Sequence, residues 1–200
     1  MIEQLVQVID CLSEKQVDEV VSLIDSSRWS PSTVFNEKGD ECSVNTDIRK
    51  NDRVCLDDSE KAAQIMHTEM NRILIEYRDR LTYNVHPQYG RYPVPGAFKT
   101  NCYREPIQVL RYQPGEYYTW HSDEATDKTV NEYHRTISIV LYLSDGFEGG
   151  STEFAWGAYK PKKGQALVFP SNWCFPHQSQ KLISGEKIAA VTWYHSHYDF

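Results

Sequence analysis

An α+β fold, mainly β, follows from three features of this 200-residue chain. The first half holds two stretches with helical apolar spacing. From Ile107 onward, short runs rich in Val, Ile, Tyr, Phe and Trp alternate with Pro/Gly turns. The 13 Tyr and 5 Trp suit pleated, half-buried surfaces. The length fits one domain. Residues 1–100 read as a helical and loop preamble and residues 101–200 as a β core, a sandwich or jelly roll.

In the preamble, Ser13 and Gln16 make a capping-box pattern ahead of Val17, Val20, Val21 and Ile24. The spacing predicts a helix from Glu14 to about Ser26. Residues 30–57 are polar, with Pro31 and Gly39, and read as loop holding at most one short strand. Residues 57–81 carry the longest helical pattern, with a stripe of Ala63, Met66, Met70, Ile73, Leu74, Tyr77 and Leu81. His67 lies beside that stripe and reads as a helix-surface residue. Pro87, Pro93 and Pro95 break the following segment into an irregular loop, and residues 83–100 have the look of a lid over a groove.

Six strands are expected in the second half: IQVLRY, YYTWHSD, RTISIVLYLS, STEFAW, QALVFP and KIAAVTWYH. Pro114-Gly115, Asp145-Gly146, Gly149-Gly150, Pro161 to Gly164 and Ser184-Gly185 separate them as turns. Gly149 and Gly150 are expected to serve the turn alone.

The net charge of -7 argues against nucleic acid as a partner. Five Cys at irregular spacing, without C-x-x-C, read as reduced thiols. The first ten residues lack a basic region and a long apolar core, so no signal peptide is expected. No apolar run is long enough for a membrane span. Together these point to a cytoplasmic protein; the oligomeric state is left open.

Chemistry concentrates at His121-Ser122-Asp123. Alternate strand residues share a face, so His121 and Asp123 point the same way, about 6.6 Å apart at Cα. A lone His-x-Asp also occurs as a hydrogen-bonded surface pair. A third ligand from another strand would complete two His and one carboxylate, the arrangement of non-haem Fe(II) oxygenases. His134, His177, His195 and His197 are available downstream. His195 and His197 share a strand face, but no third ligand accompanies them.

Several further matches fall in one order: Tyr112, Tyr118, HSD, RTISIVLYL, GGSTEF, PKKGQALVFP, His177, Lys187 ten positions later, and WYH. In this order and spacing, residues 107–195 resemble the catalytic core of the 2-oxoglutarate/Fe(II) dioxygenases, within them the prolyl 4-hydroxylase branch. The resemblance implies a double-stranded β-helix (jelly roll) with N-terminal supporting helices. It implies that His121, Asp123 and His177 hold Fe(II), and that Lys187, Tyr112 and Ser138 hold 2-oxoglutarate. Tyr118 would shape the metal pocket. Arg135, Trp193 and His195 would contact a peptide or protein substrate containing proline. O2 would be the oxidant, and ascorbate belongs to the same cofactor set. The readings for single residues stay open beside these: Lys187 as a strand-edge lysine, Tyr112 as a core aromatic, Ser138 as an inward strand residue, Arg135 as a surface charge.

Two departures stand out. QSQKLIS follows His177 where the family often has Gly and then Pro-Val, and Ile188 replaces an aromatic. The first alters the rim of the site; neither touches an iron or cosubstrate position. Three functions are compatible with these residues. One is hydroxylation at C4 of a prolyl residue. Another is the same chemistry on a free amino acid, another protein residue or a nucleobase. The third is a catalytically silent jelly-roll binding module.

Overall fold

The computed structural model describes residues 2–35, 42–92, 101–124 and 134–197. Two antiparallel sheets lie face to face. The larger runs in the order Gln7–Asp10, Gln165–Pro170, His134–Tyr142, Lys187–His197, Gln108–Tyr112, Asp52–Cys55, Ser30–Pro31, with Asn101–Arg104 also paired to Lys187–His197. The smaller runs Gly157–Tyr159, Thr152–Phe154, His177–Ser179, Tyr117–His121, Arg49–Lys50. Apart from the hairpin of Thr152–Phe154 and Gly157–Tyr159, neighbouring strands in the two sheets are non-sequential, which gives the double-stranded β-helix expected from the resemblance.

Strand alternation divides the large sheet into two chemistries. Ile137, Ile139 and Leu141 face outward onto the helices, sharing a cluster with Met66, Met70, Ile73, Leu74 and Tyr77. The residues between them, Ser138, Val140 and Tyr142, face the small sheet. The two sheets meet through Phe154 and Phe169, whose rings pack edge-to-face at 5.0 Å. The helices thus back the large sheet, while its inner face is left to line a cavity.

The first helix spans Glu14–Leu23 and starts with the expected reciprocal Ser13/Gln16 cap. It stops three residues earlier than the spacing predicts. Ile24 takes an extended backbone, and the Asp25 side chain caps a separate 3-10 turn, Ser26–Arg28. The long helix spans Lys61–Asn84 and buries all seven residues of the predicted stripe, with Ala62 besides. His67 lies partly buried beside them.

The segment 30–57 corrects the sequence reading. It holds the short strands Ser30–Pro31, Val34–Phe35, Cys42–Ser43, Arg49–Lys50 and Asp52–Cys55. Their own composition favours loop; Arg49–Lys50 and Asp52–Cys55 are held by the partner strands Tyr117–His121 and Gln108–Tyr112, Ser30–Pro31 pairs in turn with Asp52–Cys55, and Val34–Phe35 pairs with Cys42–Ser43. Gln7–Asp10, unremarked in the sequence, forms the edge strand on Gln165–Pro170. The expected lid falls partly on residues 93–100, outside the described residues. Before it lie the end of the long helix and a 3-10 turn, Pro87–Arg91. Among the described residues no helix is long and apolar enough to cross a membrane.

Candidate active site

His121 closes the Tyr117–His121 strand, and His177 opens the strand beside it. The two are register partners, so their side chains leave the small sheet on one face. Asp123 lies two residues beyond the strand end. Its Oδ1 lies 3.7 Å from His121 Nε2 and its Oδ2 3.7 Å from His177 Nε2. All three ligand atoms fall within 4.8 Å of one another.

These separations exceed a hydrogen bond and leave room for an ion between the groups. Each imidazole has its Nδ1 against a backbone carbonyl, Thr119 at 2.7 Å for His121 and Phe175 at 3.1 Å for His177. With Nδ1–H donating there, each Nε2 offers a lone pair to the centre. Burial, then the neighbouring His177, pushes His121 down to about 4, so the ring stays neutral. Burial alone would raise the Asp123 carboxyl, but His177, His121 and the Ser138 hydroxyl outweigh it and hold it below the usual range. Two imidazoles and one carboxylate fit a divalent transition metal. The surroundings fix these ligands. Tyr118 stacks on His121 at 3.6 Å, and Phe169 meets His177 edge-on at 4.9 Å.

Lys187 is 2% exposed and faces the same cavity, of about 350 Å³. Its Nζ donates to the Gly150 carbonyl at 2.6 Å and Ser179 Oγ at 3.0 Å. An ammonium has three donors, and no carboxylate partner is present among the described residues. Burial, reinforced by Lys160, pushes its pKa down to about 7. Tyr112 is its register partner, with the ring centroid 5.0 Å from Nζ. A buried cation with a spare donor, beside a buried phenol, fits a carboxylate.

Gly149 and Gly150 do more than turn the chain. A Cβ on Gly149 would meet the Lys181 carbonyl at 2.4 Å, and one on Gly150 would meet Leu182 at 2.9 Å and the Lys187 stem at 3.3 Å. Both have positive φ. They let the backbone close on the lysine and deliver the Gly150 carbonyl to it.

Residues 107–195 match the model of the 2OG-Fe(II) oxygenase superfamily, and the triad and Lys187 both fall inside that span. The match covers a little under half of the chain, and over that span the chain is similar to this superfamily. Prolyl 4-hydroxylase 2 of Arabidopsis thaliana is 32% identical over 124 residues, covering 46% of this chain and 41% of the relative. The viral collagen prolyl hydroxylase of Paramecium Bursaria Chlorella virus-1, in its 2OG complex, superposes with a TM-score of 0.65 at 21% identity, covering 96% of both chains. A prolyl hydroxylase from Trichoplax adhaerens, in complex with a hypoxia inducible factor oxygen degradation domain peptide fragment, gives 0.65 at 18%, covering 96% of this chain and 83% of that one. The structural matches bear on the fold. The chain spans about half the length of the first curated relatives it matches.

The remaining oxygenase-pattern residues are all near the cavity, with partners of their own. Ser138 Oγ donates to Asp123 Oδ2 at 2.7 Å and shares a 2.8 Å hydrogen bond with Ser171 Oγ. Its hydroxyl is therefore engaged on the metal-binding carboxylate. Arg135 grips Glu105 with two bonds, at 2.5 and 2.7 Å, and its guanidinium lies 3.8 Å from the centre of the Trp193 ring. His195 Nε2 lies 2.7 Å from Glu105 Oε1. Of the side chains on this strand face, that of His197 lies outside the described residues.

Glu105, Ser179 and Arg49 belong to the cavity wall and were not singled out from the sequence. Glu105 stands beside Pro106 at the start of an apolar run, and Arg49 sits in a polar stretch. Neither carries a local signal; only the strand pairing brings them in. Ser179 had one: it lies two residues from His177 and shares its strand face.

Proposed function

We propose that this chain is a 2-oxoglutarate- and Fe(II)-dependent dioxygenase acting on a peptide or protein, with C4 of a prolyl residue as its target. The observation that carries this reading is the shared cavity. Two imidazoles and a carboxylate converge at one end, and a buried ammonium with a spare donor stands beside them. When bound, Fe(II), 2-oxoglutarate and O2 together supply the oxidation: the keto acid is converted to succinate and CO2, and one oxygen atom enters a C–H bond of the substrate.

The protein's own part is placement. The Nδ1 contacts fix both imidazoles with Nε2 toward the metal, and Ser138 fixes Asp123. Lys187 and Tyr112 would take the distal carboxylate of the cosubstrate, setting its keto-acid end toward the triad. Phe154, Phe169 and Phe175 keep water from the His177 side of the site. The Arg135–Trp193 stack, braced by Glu105 and His195, would wall the channel through which a peptide reaches the centre. The relatives named as prolyl hydroxylases, one with a peptide bound, support the substrate class. Ascorbate as reductant and a cytoplasmic place of action are further parts of the proposal, the second in keeping with five free thiols.

The test is incubation with proline-rich peptides, Fe(II) and 2-oxoglutarate, followed by mass spectrometry. The expected result is a gain of one oxygen atom on proline with matching succinate. Succinate formed without any modified proline would overturn the prolyl assignment and leave the oxygenase class.

A further inference from the structure

The cavity has a second cationic pole, at its mouth. The segment 49–55 passes from one sheet to the other. Arg49–Lys50 pairs with Tyr117–Tyr118 in the small sheet, and Asp52–Cys55 pairs with Gln108–Arg111 in the large one. Val54 pairs with Val109, both in the cluster under the helices. Arg53 pairs with Leu110, which belongs to the inner cluster with Tyr112 and Trp193. Strand alternation therefore sends Arg53 into the cavity, where it forms part of the lining. Arg49 is 8% exposed, with its guanidinium 4.7 Å over the Tyr118 ring that stacks on His121.

These two arginines differ from the other cations of the cavity. Arg135 is matched by Glu105, and Lys187 answers to the cosubstrate. Arg49 donates to Asn51 Oδ1 at 2.9 Å and the Thr33 carbonyl at 3.5 Å, both neutral. Neither Arg49 nor Arg53 has a carboxylate partner among the described residues. The other acid at the mouth, Glu124, is exposed at the rim. Two buried polar atoms of the same lining, Thr33 Oγ1 and Gln108 Oε1, have no hydrogen-bond partner among the described residues. Buried polar atoms are seldom left so. With a metal on the triad and a dianionic keto acid on metal and lysine, the inner charges balance. Among the described residues, the mouth keeps a positive surplus.

We propose that Arg49 and Arg53 form a carboxylate subsite, so that the substrate carries an acidic group within a few residues of the carbon that is oxidised. The unpaired Gln108 Oε1 accepts a substrate N–H beside it. This names a substrate class for the proposed oxygenase and rests on that reading only for the reaction that follows binding. The carboxylate belongs either to a Glu or Asp side chain of a peptide or to the α-carboxylate of a free amino acid.

The experiment uses proline peptides with Glu or Gln placed in turn at each of the three positions on either side of proline, together with free L-proline. Binding is read by competition against a fluorescent peptide, on protein holding Fe(II) and 2-oxoglutarate without oxygen; turnover is read by mass spectrometry in air. One or more Glu peptides should bind about tenfold or more tightly than the matching Gln peptide, the scale of a charge-assisted bond. That ratio should fall toward one in Arg53→Gln and recover in part in Arg53→Lys. Preferential binding of free L-proline, lost in the same variant, assigns the subsite to an α-carboxylate and equally supports it. Equal binding of Glu and Gln peptides with no capture of L-proline, or a preference that survives Arg53→Gln, overturns the proposal. Selective binding without oxygen on proline would sustain the subsite while removing the prolyl reading; oxygen on proline without selectivity would do the reverse.

Discussion

His121 and His177 are cross-strand partners in the small sheet, with ring centroids 4.3 Å apart. One hydrogen-bonded register thus places two ligands that the sequence holds far apart. The pair has no use for each other: both Nδ1 atoms are engaged on carbonyls, and both Nε2 atoms turn toward Asp123.

His177→Ala removes one ligand from this set without disturbing the Tyr117–His121 strand. Affinity for Mn(II), read by anaerobic calorimetry, is expected to fall by more than the roughly 10–100-fold seen when only a ligand's supporting partner is lost. Unchanged binding would place the metal elsewhere.

Ser138→Ala leaves every ligand but frees Asp123 Oδ2 from its 2.7 Å bond. Metal affinity is expected to drop by about tenfold. The same titration, compared with His177→Ala, separates a ligand from the residue that orients it.

Lys187 makes both stability and cosubstrate binding depend on pH. The ordinary value of 10.5 falls to about 7 in the folded chain. Between these values the unfolded chain holds a proton that the folded one has released. The free protein therefore gains stability from this group as pH rises from 7 to 10.5, and its destabilising effect is full below pH 7. Binding a carboxylate needs the ammonium, so above pH 7 it takes up a proton. KM for 2-oxoglutarate should rise with pH, by up to about tenfold per unit. Lys187→Met should raise the melting temperature of the free protein at pH 6 while weakening 2-oxoglutarate binding. Thermal melts and KM measured across pH check both signs.

Gly149→Ala forces a Cβ to 2.4 Å from the Lys181 carbonyl, at a residue with φ of 71°. The left-handed backbone alone costs about 1–2 kcal/mol for a residue with a side chain, and the clash adds to it. Urea denaturation should show a loss of about 2 kcal/mol or more. KM for 2-oxoglutarate should rise as well, because Gly150 carries the carbonyl that receives Lys187.

The features legible in the sequence are those set by local periodicity or by residue spacing. Met66, Met70 and Ile73 mark the buried helix face, Ser13 and Gln16 mark its predecessor's start, and Gln165–Pro170 reads as a strand end to end. His-x-Asp and the distal His mark three residues that the fold brings together, and the Lys ten positions on marks a buried residue of the same cavity. What was missed depends on partners distant in sequence. Arg49–Lys50 is a strand because Tyr117–Tyr118 offers its edge. Glu105 is part of the wall because Arg135 and His195 reach it from two other strands. Ser138 is expected to face the cosubstrate; it lines the cavity, and its hydroxyl donates to Asp123 Oδ2, a partner that composition does not carry.

If His121, Asp123, His177 and the buried Lys187 ammonium form a single metal and keto-acid site, both ligands should be visible together in one cavity. Anomalous diffraction from a crystal grown with Mn(II) and 2-oxoglutarate tests it most directly. One peak is expected, coordinated by His121, Asp123 and His177, with the far carboxylate of 2-oxoglutarate hydrogen-bonded to Lys187 Nζ. A peak on other residues, or a keto acid bound with Lys187 still turned to Gly150 and Ser179 alone, would contradict it.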